Sequence, residues 1–221
     1  MKKYQLSELV LDFEIYPRGS VDSHHVGEIA EAIRAGSAMP PIVIEKKSKR
    51  IVDGFHRMKA FTRVFDEAHE VDCIEKEYKN EKELFLDSMR YNAAHGRALT
   101  QHDKVHCLLL ADKLKISPTQ VAEALRITTD RIGQLRMSRI GTASGRLIAL
   151  KQTIRHMGGK DLTPGQVEAN NKLGGMNTLF YVNQLITLIE NDLIDSENED
   201  LANGLERLHG LLGGFVKRKA A

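Results

Sequence analysis

The hydrophobic pattern of this 221-residue chain changes near residue 80. Before that point, short apolar runs of strand length alternate with segments whose apolar residues recur every three to four positions, as on one face of a helix. After it, nearly every segment has helical spacing, including TASGRLIALKQTIRHMGG. The pattern predicts an α+β fold: a small α/β domain over residues 1–80, an all-α part over 81–140, and a C-terminal helical region over 141–221.

Two apolar runs in the first 80 residues predict a β-hairpin that leads directly into a helix. The runs are Ile42–Ile44 and Ile51–Val52, and the charged segment between them is typical of a turn. One helical pattern precedes the hairpin, over residues 21–36, and another follows it in FHRMKAFTRVFDEA. A strand is therefore expected to end at Asp53-Gly54, where a helix begins at once.

The helical half contains a segment typical of two helices joined by a tight turn. Pro118 follows Ser117, a pair that favours a helix start, and Thr128 is suited to cap a second helix. Arg126 stands in the turn, where glycine is more usual. We predict a helix-turn-helix here, although two such helices can also serve packing alone.

Positive charge is concentrated in the middle of the chain. Residues 126–160 contain eight Lys/Arg and one acid, Asp130, whereas the formal net charge of the whole chain is +2. Such a segment is typical of a surface that binds phosphate backbones, and it is also common on a solvated helix face. Because it coincides with the predicted helix-turn-helix, we favour DNA binding. The side chains expected to contact DNA are Thr129, Arg131, Gln134, Arg136 and Arg139.

Composition argues against several other classes of protein. No apolar run reaches the ~18 residues that a membrane span needs, and the first residues turn polar too soon for a signal peptide. The two cysteines, Cys73 and Cys107, are far apart in apolar segments. This pattern argues against a disulfide framework and against a zinc site. We expect a cytoplasmic protein with no membrane partner.

The turn at Asp53-Gly54 has the features of an anion site. Glycine lets a ligand approach the backbone, and the first N–H groups of the following helix point outward at the positive end of its dipole. His56 and Arg57 add side-chain donors, and arginine grips phosphate oxygens in bidentate fashion. An ordinary turn with solvated basic residues has the same local sequence, so the turn alone leaves both interpretations open.

The order of three segments resembles the ParB/sulfiredoxin superfamily over roughly residues 4–140: PPIVIEKKSKRIVDGFHRMKAF, SMRYNAAHGRALTQHDKV and the helix-turn-helix. The resemblance implies a ParB-like DNA-binding protein, acting in partition or transcription control, that binds CTP or ATP with Mg²⁺. The implied nucleotide contacts are Arg18, Asp53, Gly54, His56 and Arg57 on one wall and Asn92, His95 and Arg97 on the other, with Asn92 also at the metal. The implied partners are double-stranded DNA, a second copy of the chain and, in partition, a Walker-type ATPase.

Phe55 departs from the pattern of the relatives. Chromosomal ParB proteins have G-E-R-R at this turn, with the glutamate tied to nucleotide hydrolysis, whereas Gly54-Phe55-His56-Arg57 stands here. Hydrolysis is therefore expected to be weak at best. Sulfiredoxins place a reactive cysteine in the same slot, and a phenyl ring cannot replace its chemistry.

An enzyme is the alternative interpretation. Some ParB-like proteins resemble kinases that phosphorylate a free amino acid such as serine, and they carry D-G-x-H-R as here. Phosphoryl transfer would need a carboxylate base near the turn, for which Asp53 or Glu14 is suitable.

The segment TLFYVNQLITLIENDLI is strongly apolar. It is suited either to a helix–helix interface between two copies or to the core of one copy, and we favour the core. A homodimer is expected in either case, because two half-sites multiply the specificity of a helix-turn-helix.

Overall fold

A mixed four-stranded sheet organises the N-terminal unit, residues 1–80, in the computed structural model, which describes residues 1–94, 98–172, 178–195 and 197–220. Strand β2 (Ile42–Glu45) pairs antiparallel with β3 (Ile51–Asp53) and parallel with β4 (Glu70–Lys76). Strand β1 (Lys2–Gln5) pairs antiparallel with β4. The predicted hairpin is thus confirmed as β2–β3. The strands lie in the sheet order β1-β4-β2-β3.

Helices cover both faces of this sheet. Successive side chains of a strand point to opposite faces, so Ile42 and Val43 join different apolar clusters. Ile42 packs with Phe55 of helix α2, while Val43 packs with Leu84 of helix α3. The helices concerned are α1 (Ser23–Arg34) and α2 (Phe55–Val64), which pack against each other, and α3 (Glu81–Ala94).

Three further helices extend the α3 cluster into the helical half: α4 (Gln101–Lys113), α5 (Pro118–Leu125) and α6 (Thr129–Arg139). The caps predicted from the sequence are confirmed: the side chain of Ser117 accepts a hydrogen bond from Gln120 N–H, and that of Thr128 accepts one from Arg131 N–H. Arg126 ends α5 in the left-handed region, with φ +55°, where glycine would be less strained.

The expectation that the chain is helical throughout after residue 80 is wrong for a β-hairpin that follows α6. Its strands are β5 (Ile140–Ala143) and β6 (Arg146–Ala149), which pair antiparallel. Ser144 and Gly145 connect them with φ values of +51° and +74°. Two successive residues of positive φ form the turn whose twist suits a tight hairpin. A short 3₁₀ helix (Gln152–Met157) and helix α7 (Pro164–Asn171) come next.

Two longer helices complete the described chain, α8 (Thr178–Glu190) and α9 (Glu199–Ala220). The preference for α8 as core is wrong, because its apolar residues are exposed: Leu179, Phe180, Val182, Ile186, Leu188 and Ile189. Helix α9 instead returns to the N-terminal unit, where Glu199 lies 2.8 Å from Arg63 and Glu206 pairs with Lys59. Within the described ranges, no helix has the length and apolar character of a membrane span.

Candidate functional site

A cleft of about 640 Å³ opens beside the turn that ends β3. Three separate segments supply polar groups to its lining: the loop before α1 with Arg18, the turn at Gly54 between β3 and α2, and the C-terminal part of α3 with Asn92. Apolar side chains complete the lining, among them Ile29, Met39, Val43 and Ile74. This volume and mixed lining are typical of small-molecule sites.

Gly54 determines the backbone conformation of the turn that lines the cleft. Its φ of +110° is unfavourable for any residue with a Cβ, and an added Cβ would lie 3.2 Å from Cγ1 of Ile42. The glycine lets β3 pass directly into α2, so the first N–H groups of that helix lie at the cleft without acceptors within the helix. The positive end of the helix dipole at these groups favours a negative charge, and the anion site itself stays a prediction.

Arg57 lies in the cleft wall, but its guanidinium binds the protein itself. Nη1 donates to the carbonyl oxygens of Pro40 and Pro41, at 2.7 and 2.8 Å, and Nη2 lies 2.6 Å from Oδ2 of Asp53. The side chain thus joins the end of β3 to the segment that enters β2. A direct contact of Arg57 with phosphate stays a prediction, and it would require the guanidinium to exchange some of these acceptors.

The two walls predicted from distant parts of the sequence meet at Arg18 and Asn92. Arg18 is 8% exposed, and its Nε donates to Oδ1 of Asn92 at 3.1 Å. Asn92 in turn donates to the carbonyl of Ser88, whose hydroxyl donates to the carbonyl of Val52 at 2.8 Å. A chain of hydrogen bonds therefore connects the Arg18 loop, α3 and the strand that ends at the cleft.

Helix α4 holds the Arg18 loop from outside the cleft, a feature that the sequence analysis did not include. Oδ1 of Asp103 accepts a hydrogen bond from Gly19 N–H at 2.8 Å. The thiol of Cys107 donates to the carbonyl of Pro17, and Nε2 of His106 lies 3.2 Å from the carbonyl oxygen of Tyr16. The sequence signal for Asp103 was its place three residues after Thr100, typical of a capping box, which indicates a helix start but no remote partner.

The carboxyl group of Asp103 is stabilised as an anion at this position. Burial alone would raise the pKa of Asp103, but hydrogen bonds from Gly19 and Thr100, together with the charge of Arg18, lower it overall. Asp103 is therefore ionised at neutral pH, and its charge faces the loop that carries Arg18. The loop is fixed by charge-assisted bonds, which are stronger than neutral ones.

His56 is neutral rather than cationic. Burial, aided by the nearby charges of Arg18 and His25, lowers the pKa of His56 to about 4. Its Nε2 accepts a hydrogen bond from Asp22 N–H at 3.3 Å, which assigns the ring proton to Nδ1. The side chain can offer one N–H donor to a ligand, but no positive charge at neutral pH.

Phe55 lies against the core. It is 3% exposed, and its ring stacks on that of Tyr16 with centroids 4.1 Å apart. Burial raises the pKa of the Tyr16 hydroxyl, which has no hydrogen-bond partner among the residues that the structure describes. This slot supplies packing and contains no acid or base for hydrolysis.

The predicted metal and the remaining cleft residues stay untested. His95 and Arg97 lie outside the described residues. Within the described part of the chain, no three His, Cys, Asp or Glu residues are placed to hold a metal ion. Asn92 and Asp53 offer oxygens at the cleft, but both already face arginines. Since protein-bound Mg²⁺ commonly takes several ligands from phosphates and water, this lining suits a metal carried by its nucleotide better than one held by the protein alone.

The predicted DNA-contacting residues divide into two groups. Thr129, Arg131 and Gln134 are exposed on α6, with Nη1 of Arg131 donating to Oε1 of Gln134 at 2.9 Å. Arg136 and Arg139 are half-buried, and Nη2 of Arg136 lies 4.0 Å from Oδ1 of Asp112 on α4. The N-terminal turns of α6 thus present the most accessible hydrogen-bonding groups.

Comparisons with known proteins give distant similarities. No family model matches the chain. A transcriptional regulator, NovG of Streptomyces niveus, is 25% identical over 131 residues, which are 58% of this chain and 39% of that protein. The chain thus corresponds to about two-fifths of the length of the curated relative it matches.

Similar solved structures include two kinds of ParB. One is ParB from Caulobacter crescentus complexed to the centromeric parS site, with a TM-score of 0.44 and 12% identity, covering 61% of this chain and 70% of that one. Another is the N-domain of a pNOB8-like ParB, with a TM-score of 0.43 and 14% identity, covering 67% of this chain and 52% of that one.

Proposed function

We propose that this chain is a ParB-like DNA-binding protein, acting in partition or transcription control, whose N-terminal cleft holds a nucleoside triphosphate. One observation carries the proposal: Arg18, Asn92 and the Gly54 turn come from three distant segments and line one cleft. The similarity to a transcriptional regulator supports a role in gene control.

The chemistry of the cleft suits a phosphorylated ligand with an apolar portion. Phosphate oxygens would accept hydrogen bonds from the first N–H groups of α2 and from the buried guanidinium of Arg18. The faces of the base would pack against apolar lining residues such as Ile29 and Met39. CTP and ATP both combine a charged triphosphate with an aromatic base, and Mg²⁺ would enter with the phosphates.

Nucleotide binding would influence DNA binding through α4. The Arg18 loop is bonded to α4 by Asp103 and Cys107, and α4 packs in the same core as α5 and α6. A ligand that binds Arg18 would change how this loop is held. Because the loop is bonded to α4, the ligand would also affect α4. It would shift the populations of the helical half without any chemical step.

Hydrolysis is not part of this proposal. Phe55 is buried against Tyr16 and cannot act as an acid or base. The kinase alternative is also less favoured, because Asp53, the carboxylate among the described residues of the cleft lining, is ion-paired with Arg57. Glu14, the other candidate base, is exposed and does not line the cleft.

The proposed partners extend this function. Double-stranded DNA would be read by the exposed N-terminal turns of α6, a second copy of the chain would supply the other half-site, and a Walker-type ATPase would act with the protein in partition. The exposed apolar face of α8 is compatible with a homodimer.

Isothermal titration calorimetry with CTP and ATP, each with Mg²⁺, tests the nucleotide site. We expect Arg18→Ala to weaken binding by about tenfold or more, because a charge-assisted contact to phosphate is lost. Lys46→Ala is the matched control, since Lys46 is an exposed cation outside the cleft lining. A wild-type chain that binds neither nucleotide would remove the cleft from the proposal. A thermal melt of each variant separates loss of binding from loss of folding.

A further inference from the structure

The β5–β6 hairpin is joined to α6 without any linker. Helix α6 ends at Arg139 and β5 begins at the next residue. The carbonyl of Arg139 accepts a hydrogen bond from Leu150 N–H at 2.8 Å, and that of Ile140 accepts one from Gly159 N–H at 2.8 Å. The hairpin therefore leaves the helix in a defined direction.

A second set of contacts fixes the base of the hairpin. Thr142 exchanges backbone hydrogen bonds with the returning chain, donating to Lys160 at 3.0 Å and accepting from Leu162 at 2.8 Å. Gly158 lies so close to α6 that an added Cβ would overlap the carbonyl oxygen of Met137. A glycine is needed for this approach, so the returning segment holds the hairpin firmly against the helix.

The tip of the hairpin, Ser144–Arg146, does not pack in the core. Ile140 and Leu150 are buried at its base, whereas all three tip residues are exposed. Arg146 has no ion pair within residues 1–94, 98–172, 178–195 and 197–220. The tip belongs to the segment 131–160, which contains seven Lys/Arg and no Asp or Glu.

We propose that this hairpin binds the DNA phosphate backbone beside the groove entered by α6, with Arg146 as the tip contact and Arg155 and Lys160 flanking it. The inference rests on the proposed DNA-binding function of α6. Four-residue strands span about 14 Å, close to the roughly 12 Å width of a major groove. A hairpin that starts at the end of α6 is thus long enough to reach a bordering phosphate strand.

The rigidity of the attachment matters for affinity. A flexible basic loop would lose conformational freedom on binding, whereas a hairpin fixed by backbone hydrogen bonds loses little. Its contacts would add affinity without sequence preference, because phosphates carry no base information. In this arrangement α6 supplies the choice of sequence and the hairpin supplies part of the binding strength.

Fluorescence anisotropy with a random-sequence duplex, measured over a range of salt concentrations, tests the hairpin. We expect Arg146→Ala to weaken binding about three- to tenfold and to reduce the salt slope by about one, as for a phosphate contact. Arg146→Glu should weaken binding further. Lys46→Ala, which removes an exposed cation from the N-terminal unit, should leave affinity and slope unchanged.

Different outcomes separate the hairpin from the underlying function. If the wild-type chain binds no DNA, the proposed DNA-binding function fails and the hairpin proposal fails with it. If Arg131→Ala weakens binding while Arg146→Ala and Arg146→Glu do not, the hairpin proposal alone is overturned. Unchanged thermal melts of the exposed variants would confirm that folding is not the cause.

A cleavage reagent attached at the tip provides a second measurement. Cys73 and Cys107 are both fully buried, so Ser144→Cys would be the reactive thiol of the folded chain. A tethered hydroxyl-radical source there should cut the bound duplex well above the level produced by the free reagent. Cutting no stronger than the free reagent, in a variant that still binds DNA, would place the tip away from the duplex.

Discussion

The basic side chains of the cleft and those of the segment 126–160 differ in their partners within the protein. In the cleft, Arg18 donates to Asn92, and Arg57 donates to two carbonyls and to Asp53. On the basic segment, Arg131 donates to the neutral amide of Gln134, and Arg146 has no ion pair in the described part of the chain. The cleft cations are organised in advance and must exchange partners to bind a ligand, whereas Arg131 and Arg146 are exposed and have no carboxylate partner in the described part of the chain.

This difference predicts opposite responses to salt. If the six basic side chains Arg131, Arg136, Arg139, Arg146, Arg155 and Lys160 contact phosphates, raising salt from about 50 to 200 mM should lower DNA affinity about a thousandfold. Nucleotide affinity should change by less than about tenfold, because buried contacts are screened less. Parallel titrations by anisotropy and calorimetry measure both. Equal salt slopes would contradict the contrast between the two regions.

The support of the Arg18 loop predicts the next largest effect. Asp103→Ala removes one half of the capping box of α4, the carboxylate that accepts from the Thr100 N–H and hydroxyl, and it leaves the Gly19 N–H without its acceptor. The free energy of unfolding should therefore fall by about 2–3 kcal/mol. Urea unfolding measures this loss, and nucleotide affinity should fall with it. Glu123→Ala, at an exposed position on α5, is the control and should stay within about 0.5 kcal/mol. If Asp103→Ala changed the free energy of unfolding as little as the control, the Arg18 loop would not depend on Asp103.

The buried imidazole of His56 predicts a pH dependence. Its pKa of about 4 lies below the ordinary 6.5, so the unfolded chain binds more protons between these values. The contribution of neutral His56 to stability is therefore complete above about pH 6.5 and is lost as the pH falls towards 4, by about 2 kcal/mol after allowance for partial exposure. His56→Asn should flatten the stability curve across this window in pH-dependent urea melts. An unchanged slope would mean that His56 has the same pKa in the folded and the unfolded chain.

The smallest stability effect belongs to the exposed face of α6. Arg131→Ala removes a bond between two exposed side chains, so the free energy of unfolding should change by less than about 0.5 kcal/mol. DNA affinity should nevertheless fall about tenfold, because a base or phosphate contact is lost. Lys46→Ala should change neither quantity. If Arg131→Ala destabilised the fold more than it weakened DNA binding, α6 would be a packing element.

Several elements were predictable because their causes are local. Ser117 and Thr128 cap helices through bonds to N–H groups three residues away. The Ile42–Ile44 and Ile51–Val52 runs are short, β-branched and continuously apolar, as in strands buried on both faces. The hairpin after α6 was missed although Ser144-Gly145 indicates a two-residue turn. Its strands are only four residues long, and apolar runs that short fit a helix as well as a strand.

In the candidate site too, the features with local causes were predictable and those with remote causes were not. Gly54 and the start of α2 were predicted, since a glycine between a strand and a helix indicates a close backbone approach. The acceptors of Arg57 are the carbonyls of Pro40 and Pro41, and backbone groups leave no side-chain signal in a sequence. The bonds from α4 to the Arg18 loop join residues 84 to 90 positions apart, a separation that no local pattern encodes.

By itself, the sequence determined where helices begin, that β3 ends in a glycine turn, and that positive charge lies in residues 126–160. Only the tertiary structure decided which cations keep protein partners, that His56 is neutral, and that α4 supports the cleft. Caps, turns and charge follow from neighbours a few residues away. Burial and hydrogen-bond partners depend on segments that meet only when the chain folds.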